Sequence, residues 1–161
     1  RQSLAAFATV ARVALSPRCQ NCHTSVDYPR QGDDRHRHLF HVARGGSDVG
    51  APALPCSTCH GSANNPASGV PGAEDRWRLA PLAMGWDGLS AAGLCRRLTD
   101  PRHNGNRDGD AIVDHLRTPF VTWAWSAGTD RAGRPRRAPP VAYRDFLQAA
   151  EAWVRTGEAC P

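Results

Sequence analysis

The run Cys-x-x-Cys-His occurs twice in this 161-residue chain, as Cys19-Gln20-Asn21-Cys22-His23 and as Cys56-Ser57-Thr58-Cys59-His60. No other feature limits the fold as strongly. This run is the attachment signature for covalent haem: each thiol adds to a porphyrin vinyl group as a thioether, and the next residue sets an imidazole under the iron. The spacing is fixed because two thioethers and one axial bond must reach a single porphyrin. The expectation is two haem c groups, held covalently by Cys19, Cys22, Cys56 and Cys59, with His23 and His60 as proximal iron ligands.

Two other chemistries use paired cysteines. A four-cysteine zinc site takes two Cys-x-x-Cys pairs, and a thioredoxin-like dithiol takes one at a helix start. Neither needs a histidine directly after the second cysteine. With 7 His in 161 residues, a histidine follows one such pair by chance about 4% of the time, and both pairs roughly 0.2% of the time, which favours haem.

The other two cysteines, Cys95 and Cys160, have no histidine beside them. Haem attachment of this kind belongs to an oxidising compartment, where such a pair is expected to form a disulfide. Two buried free thiols are the alternative.

Hydrophobic residues make up 40% of the chain, alongside 13 Pro and 15 Gly. That composition is globular but loop-rich. The expected fold is mainly α, cytochrome c-like, a single domain of short helices wrapped round two covalent haems. A first haem segment would span about residues 1–50 and a second about 51–100, with a C-terminal helical cap over about 101–161. The segments around the two motifs do not match beyond the motifs, so no repeat is read.

Residues 2–15 read as an amphipathic helix with Phe7, Val10, Val13 and Ala14 on one stripe, stopped before Pro17. Residues 24–55 are polar and turn-rich, and 61–76 read as a loop. Ser90 can cap a helix from Ala91 to Leu98, ended by Asp100-Pro101. Asp108 or Asp110 can cap one through Arg117. Tyr143, Phe146, Leu147, Ala150, Trp153 and Val154 recur at helical spacing, with Gly157 at the stop.

Function turns on the sixth coordination position of each iron: filled, the haem transfers electrons; open, it binds a small molecule or catalyses. The candidates are His36, His38, His41, Met84, His103 and His115. His38 is favoured within the first cluster, where His38 and His41 would share a helix face. His115 has apolar neighbours in Ile112-Val113-Asp114-His115-Leu116, and a satisfied core histidine is its ordinary reading. His103 sits in a polar turn. Met84, the only methionine, stands in a Pro/Gly loop downstream of both motifs, where a distal thioether ligand is usual; a core methionine is its plain alternative. The five tryptophans suit either porphyrin contact or ordinary core packing. Arg76, Arg78 or Arg117 could pair with haem propionates.

Net charge is +5, and every one of the 20 basic side chains is arginine, so no lysine amine is available as a ligand. Arginine clusters without base-stacking aromatics read as a solvated surface suited to an acidic protein partner, not to nucleic acid. No apolar run of about 20 residues is present, so no transmembrane segment is expected. No signal peptide is recognisable, so an exported form would be the mature one.

Several runs together carry a family resemblance. They are Cys19-Gln-Asn-Cys-His23, Gln31-Gly-Asp-Asp34 with His38 behind it, Cys56-Ser-Thr-Cys-His60, Leu79-Ala-Pro-Leu-Ala-Met84, Leu94-Cys95, Asn104-Gly-Asn-Arg107, His115, Trp123-Ala-Trp125 and Ala159-Cys160-Pro161. Over nearly its whole length the chain resembles small bacterial dihaem cytochromes often labelled isoquinoline 1-oxidoreductase subunits. The resemblance implies a periplasmic electron carrier rather than an enzyme, and it supports His38, Met84 and His115 over the other candidates. The family pattern has His after Trp77; Arg78 stands here, so that position is not an essential ligand. The implied partners are redox proteins, such as a molybdenum hydroxylase as donor or a membrane respiratory cytochrome as acceptor. A haem enzyme or sensor with one open iron, and a haem-stacking subunit of a larger cytochrome assembly, are the alternative functions.

Overall fold

A computed structural model describes residues 1–161. Its longest helices are α1 (Gln2–Ala14) and α7 (Tyr143–Arg155), which pack against each other. Between them in sequence lie α2 (Pro17–Gln20), α3 (Ala91–Thr99), α4 (Pro101–Asn104), α5 (Gly109–Leu116) and α6 (Pro119–Thr122). The expected stripe of α1 is the buried one: Phe7, Val10, Val13 and Ala14 face Leu94 and Cys95 of α3, Val113 of α5, and Phe146, Ala150 and Trp153 of α7.

Local chemistry sets the helix boundaries. The Ser90 hydroxyl accepts from the Gly93 amide at 3.1 Å, and Asp108 accepts from the Ala111 amide at 2.8 Å, so each satisfies an orphan donor of its helix's first turn. Pro17, Pro101 and Pro119 each open a short helix, where a missing N–H costs nothing. Pro17 therefore starts α2 as well as following α1.

The two ends of the chain are tied together. The Ser3 hydroxyl accepts from the Ala159 amide at 2.9 Å and donates to the Trp153 carbonyl at 3.3 Å. Cys95 and Cys160 lie at disulfide distance, with Cα atoms 5.5 Å apart. Segments 1–50 and 101–161 thus share one core through α1 and α7, and they are not separate units.

Residues 24–85 hold little regular structure. They carry two minimal hairpins, β1 (Arg30–Gln31) with β2 (His36–Arg37), and β3 (Gly50–Ala51) with β4 (Leu54–Pro55). The polar, turn-rich composition of 24–55 predicts only turns. A two-residue strand has no room for an alternating pattern, so the sequence offers no sign of it.

Side-chain hydrogen bonds organise this half in place of helices. The guanidinium of buried Arg44 donates to the carbonyls of Thr24 at 3.0 Å, Val26 at 3.2 Å and Ala80, and to Asp48 at 2.7 Å. Asp87 accepts from the Ser25 amide at 2.6 Å, the Thr24 hydroxyl at 3.2 Å and the Arg35 guanidinium. Burial works against charge on Asp87, but the Arg35 contact and these donors outweigh it and hold its carboxyl below the usual range. Planar guanidinium groups with five donors suit this task, because one side chain can pin several strands of irregular backbone.

Candidate functional site

Both Cys-x-x-Cys-His runs fold into the same turn. In the first, the Cys22 and His23 amides donate to the Cys19 carbonyl at 3.2 and 3.0 Å; in the second, the Cys59 and His60 amides donate to the Cys56 carbonyl at 3.2 and 3.0 Å. The surroundings differ, since one run leaves α2 and the other a 3₁₀ turn over Cys56–Thr58. One helical turn brings residues i, i+3 and i+4 of each run to one side of the backbone.

The environment of the two imidazoles repeats as well. The His23 Nδ1–H faces the Met84 carbonyl at 3.0 Å, and the His60 Nδ1–H faces the Pro71 carbonyl at 2.7 Å. His23 stacks on Trp86 with ring centroids 3.5 Å apart, and His60 stacks on Trp77 at 4.1 Å. A carbonyl acceptor on Nδ1 fixes the tautomer that leaves the Nε2 lone pair free for a metal. Burial lowers the pKa of His23 to about 4 and lowers that of His60, which keeps both rings neutral and ready to donate.

A cleft of about 310 Å³ opens beside the second motif, lined by Cys56, Cys59, His60, His38, Trp77 and Cys22 among others. His38 stands across from His60, with ring centroids 6.2 Å apart. The two rings are tilted by 50°, and that spacing would leave room for one metal atom held between them. The His38 Nδ1–H faces the Leu39 carbonyl at 2.8 Å, so this ring too has its Nε2 free.

His115 is close enough to His23 to influence its charge. Its charge would oppose protonation of His23, and burial, followed by Arg107, lowers its own pKa. It makes no side-chain hydrogen bond and sits beside Phe120 at 6.3 Å. Phe120 also meets Trp77 edge-on at 4.7 Å, and so stands between the His115 ring and the tryptophan under His60. Cys22 of the first motif lines the cleft of the second, so the two sites adjoin.

Met84 meets His23 through its backbone. Its carbonyl serves His23 from the Nδ1 side, and its methyl lies against Gly105. His36 and His103 bond to the carboxylates of Asp34 at 2.6 Å and Asp100 at 2.8 Å, and His41 is exposed. His103 is half-buried on α4, not free in a turn. His38 and His41 share no helix face, because Phe40 and His41 adopt positive φ. Arg117 pairs with Asp114 and Glu151, each at 2.8 Å, on the outer surface, while Arg76 and Arg78 are exposed.

Arg30 and Arg136 line the second cleft together with Arg18, which is paired with Asp33, and the charge of Arg107 reaches both His23 and His115. Sequence reading missed all four, because nothing local marks them. Trp77, Trp86 and Trp123 serve the sites, the last lining the cleft, whereas Trp125 and Trp153 belong to the helical core.

The thiols of Cys19 and Cys22 are pushed up by burial, to about 12 and about 11. A dithiol redox centre needs the opposite shift, toward thiolate. No three His, Cys, Asp or Glu side chains converge as a metal-ion cluster. A haem asks the protein for only two axial ligands, and its remaining partners are covalent and apolar, so the donor set present fits that group. No helix is long and apolar enough to cross a membrane. No protein-family model, curated protein or solved structure matches the chain.

Proposed function

We propose that this chain is a dihaem c-type cytochrome that carries electrons between redox proteins in the periplasm. One observation carries the reading: both motif histidines sit in the same turn, each tied through Nδ1 to a backbone carbonyl and stacked on a tryptophan, with His38 facing His60 at the span of a shared metal. Haem iron supplies one-electron chemistry when bound. Cys19 and Cys22 hold the first group and Cys56 and Cys59 the second. His23 and His115 would hold the first iron, and His60 and His38 the second. Met84 contributes its carbonyl and not its sulfur.

The protein's task in such a carrier is to hold still. Met84, Pro71 and Leu39 carbonyls fix three of the four imidazoles, and Trp86 and Trp77 fix the planes of the two proximal rings. An arginine-rich surface favours an acidic redox partner, such as a molybdenum hydroxylase as donor or a membrane cytochrome as acceptor. The Cys95–Cys160 pair suits an oxidising compartment.

The test is expression alongside a cytochrome c maturation system. Intact mass should increase by two haems, and Cys56→Ser with Cys59→Ser should remove one of them. The reduced protein should give a low-spin spectrum that carbon monoxide leaves unchanged. A chain that gains no thioether-linked haem sinks the proposal. His115, the one ring of the four with no hydrogen bond, favours a second reading in which the first iron opens to ligands; rapid carbon monoxide binding at one haem selects it.

A further inference from the structure

The cleft beside the second motif carries three arginines, Arg18, Arg30 and Arg136, and no Asp or Glu among its lining residues. Its walls are otherwise mostly apolar, so these charges face a poorly hydrated space. Arg18 is paired at 2.7 Å with Asp33, which lies outside the cleft lining. Arg30 and Arg136 have no acidic partner. Their guanidinium groups donate only to backbone carbonyls, Arg30 to that of Arg35 at 3.1 Å and Arg136 to that of Ala127 at 2.7 Å.

Both unpaired groups are held in place. Arg30 belongs to β1, in register with Arg37 of β2, and its Nε is buried with no hydrogen-bond partner, as is that of Arg18. The Arg136 amide donates to the Gly128 carbonyl at 3.0 Å. Gly69, which also lines the cleft, lies in the left-handed region at φ 65°. A Cβ there would meet the Arg136 guanidinium at 2.6 Å and the Ala127 carbonyl at 2.7 Å, so the backbone leaves room for this arginine. Arg136 is also close enough to Arg18 to oppose its charge. Cations that repel one another in an apolar cleft, with buried donors left idle, suit a ligand that joins negative charge to an apolar body.

We propose that Arg30 and Arg136 hold the two propionate carboxylates of the group attached at Cys56 and Cys59, and so fix which edge of the second porphyrin lies at the arginine end of the cleft. This rests on the dihaem reading. The charges match: two carboxylates meet the two cations that lack an acidic partner, while Arg18 stays with Asp33. A guanidinium takes a carboxylate through two parallel bonds, so each pairing sets direction as well as charge. Carboxylates drawn into an apolar cleft without such partners would lose their hydration uncompensated. Arg76, Arg78 and Arg117, which the sequence offers for this task, do not line the cleft.

The experiment is carbodiimide coupling of an amine to the carboxyl groups of the intact, haem-loaded protein. Digestion then isolates the peptide that carries Cys56 and Cys59, and fragment masses count the coupled propionates on its haem. A carboxylate must leave its charge-assisted bonds before it couples, which slows the reaction about tenfold or more relative to the protein unfolded in urea. Wild type should show that protection at both propionates of this haem. R30Q and R136Q should each release one, and the double variant both. R136K keeps the charge and should keep most of the protection, and R78Q should match wild type. The haem at Cys19 and Cys22 should couple at one rate in every variant, which separates a lost pairing from a loosened fold. Propionates of the second haem that couple in wild type as fast as in the unfolded protein overturn the proposal. So does protection that survives in both R30Q and R136Q, or that falls equally at both haems. A chain that yields no haem-bearing peptide overturns the dihaem reading itself.

Discussion

Arg44 is the side chain on which the irregular half of the molecule depends most. Replacing it with alanine removes the donor to the Thr24, Val26 and Ala80 carbonyls and to the Asp48 carboxylate in one step. Its side chain is 4% exposed, and that of Asp48 is 22% exposed, so solvent screens the pair little. Breaking a buried pair by removing one partner costs about 3–5 kcal/mol, and the three abandoned carbonyls act in the same direction. Water entering the vacated volume recovers some of this, which places the expected loss near 3 kcal/mol. With an m-value of about 2 kcal/mol per molar urea, the unfolding midpoint of R44A should fall by about 1.5 M. Circular dichroism and haem absorbance should be followed together. Lysine offers one compact ammonium in place of the guanidinium fork, so R44K should recover under half of the loss. A shift of R44A below about 0.5 M would refute the view that this guanidinium organises residues 24–85.

Three further outcomes follow from the site and its surroundings. His38→Ala and His115→Ala should each produce one high-spin, carbon monoxide-binding haem, whereas Met84→Leu should keep both haems low-spin because the backbone carbonyl survives; electron paramagnetic resonance separates the cases. Asp87 has a folded pKa below its ordinary 3.8, so its contribution is present above about pH 4 and lost as pH falls through the folded value; D87N should flatten the acid limb of a stability-against-pH curve below about pH 4. Cys160→Ser should lower stability by about 4 kcal/mol on the chain-entropy model for a bridge across 65 residues, read as a drop in thermal midpoint that a reducing agent reproduces in the parent protein.

The helical half was legible and the loop half was not, for physical reasons that differ. α1, α3, α5 and α7 advertise themselves through a 3.6-residue apolar period and through Ser90 and Asp108 at their caps, signals that act within four residues. The disulfide-distance pair was readable by count, since the motifs claimed four cysteines and left two. Arg44 was not, because its partners at 24, 26, 48 and 80 are set by tertiary folding and leave no local pattern. Met84 shows the same limit from another side. Its side chain drew attention as the only thioether, but the group that meets His23 is the carbonyl, which every residue possesses. The Cys-x-x-Cys-His spacing dictates the turn at each motif. It does not dictate what stands opposite, and His38 reaches His60 only because the chain reverses through β1 and β2 and enters a strained turn at Phe40 and His41.

The division of labour between the halves bears on the proposed chemistry. The helical half has a core of its own, with Phe7, Leu94 and Trp153 fully buried. It could fold on apolar burial alone, and it supplies His23, Trp86 and His115. The loop half buries only Cys56, Trp77 and Leu79 between residues 24 and 85 as apolar side chains, while Leu39 and Phe40 on the cleft remain exposed. So little apolar burial does not offset the conformational entropy of some sixty ordered residues at about 1–2 kcal/mol each. Arg44 and Asp87 supply part of the difference through hydrogen bonds, and a covalently tethered apolar disc between His38 and His60 would supply much of the rest. The attachment chemistry at Cys56 and Cys59 would then serve folding as well as electron transfer. A haem that completes the core of its own segment is held by everything the segment packs, which is the rigidity that a one-electron carrier requires of its ligands.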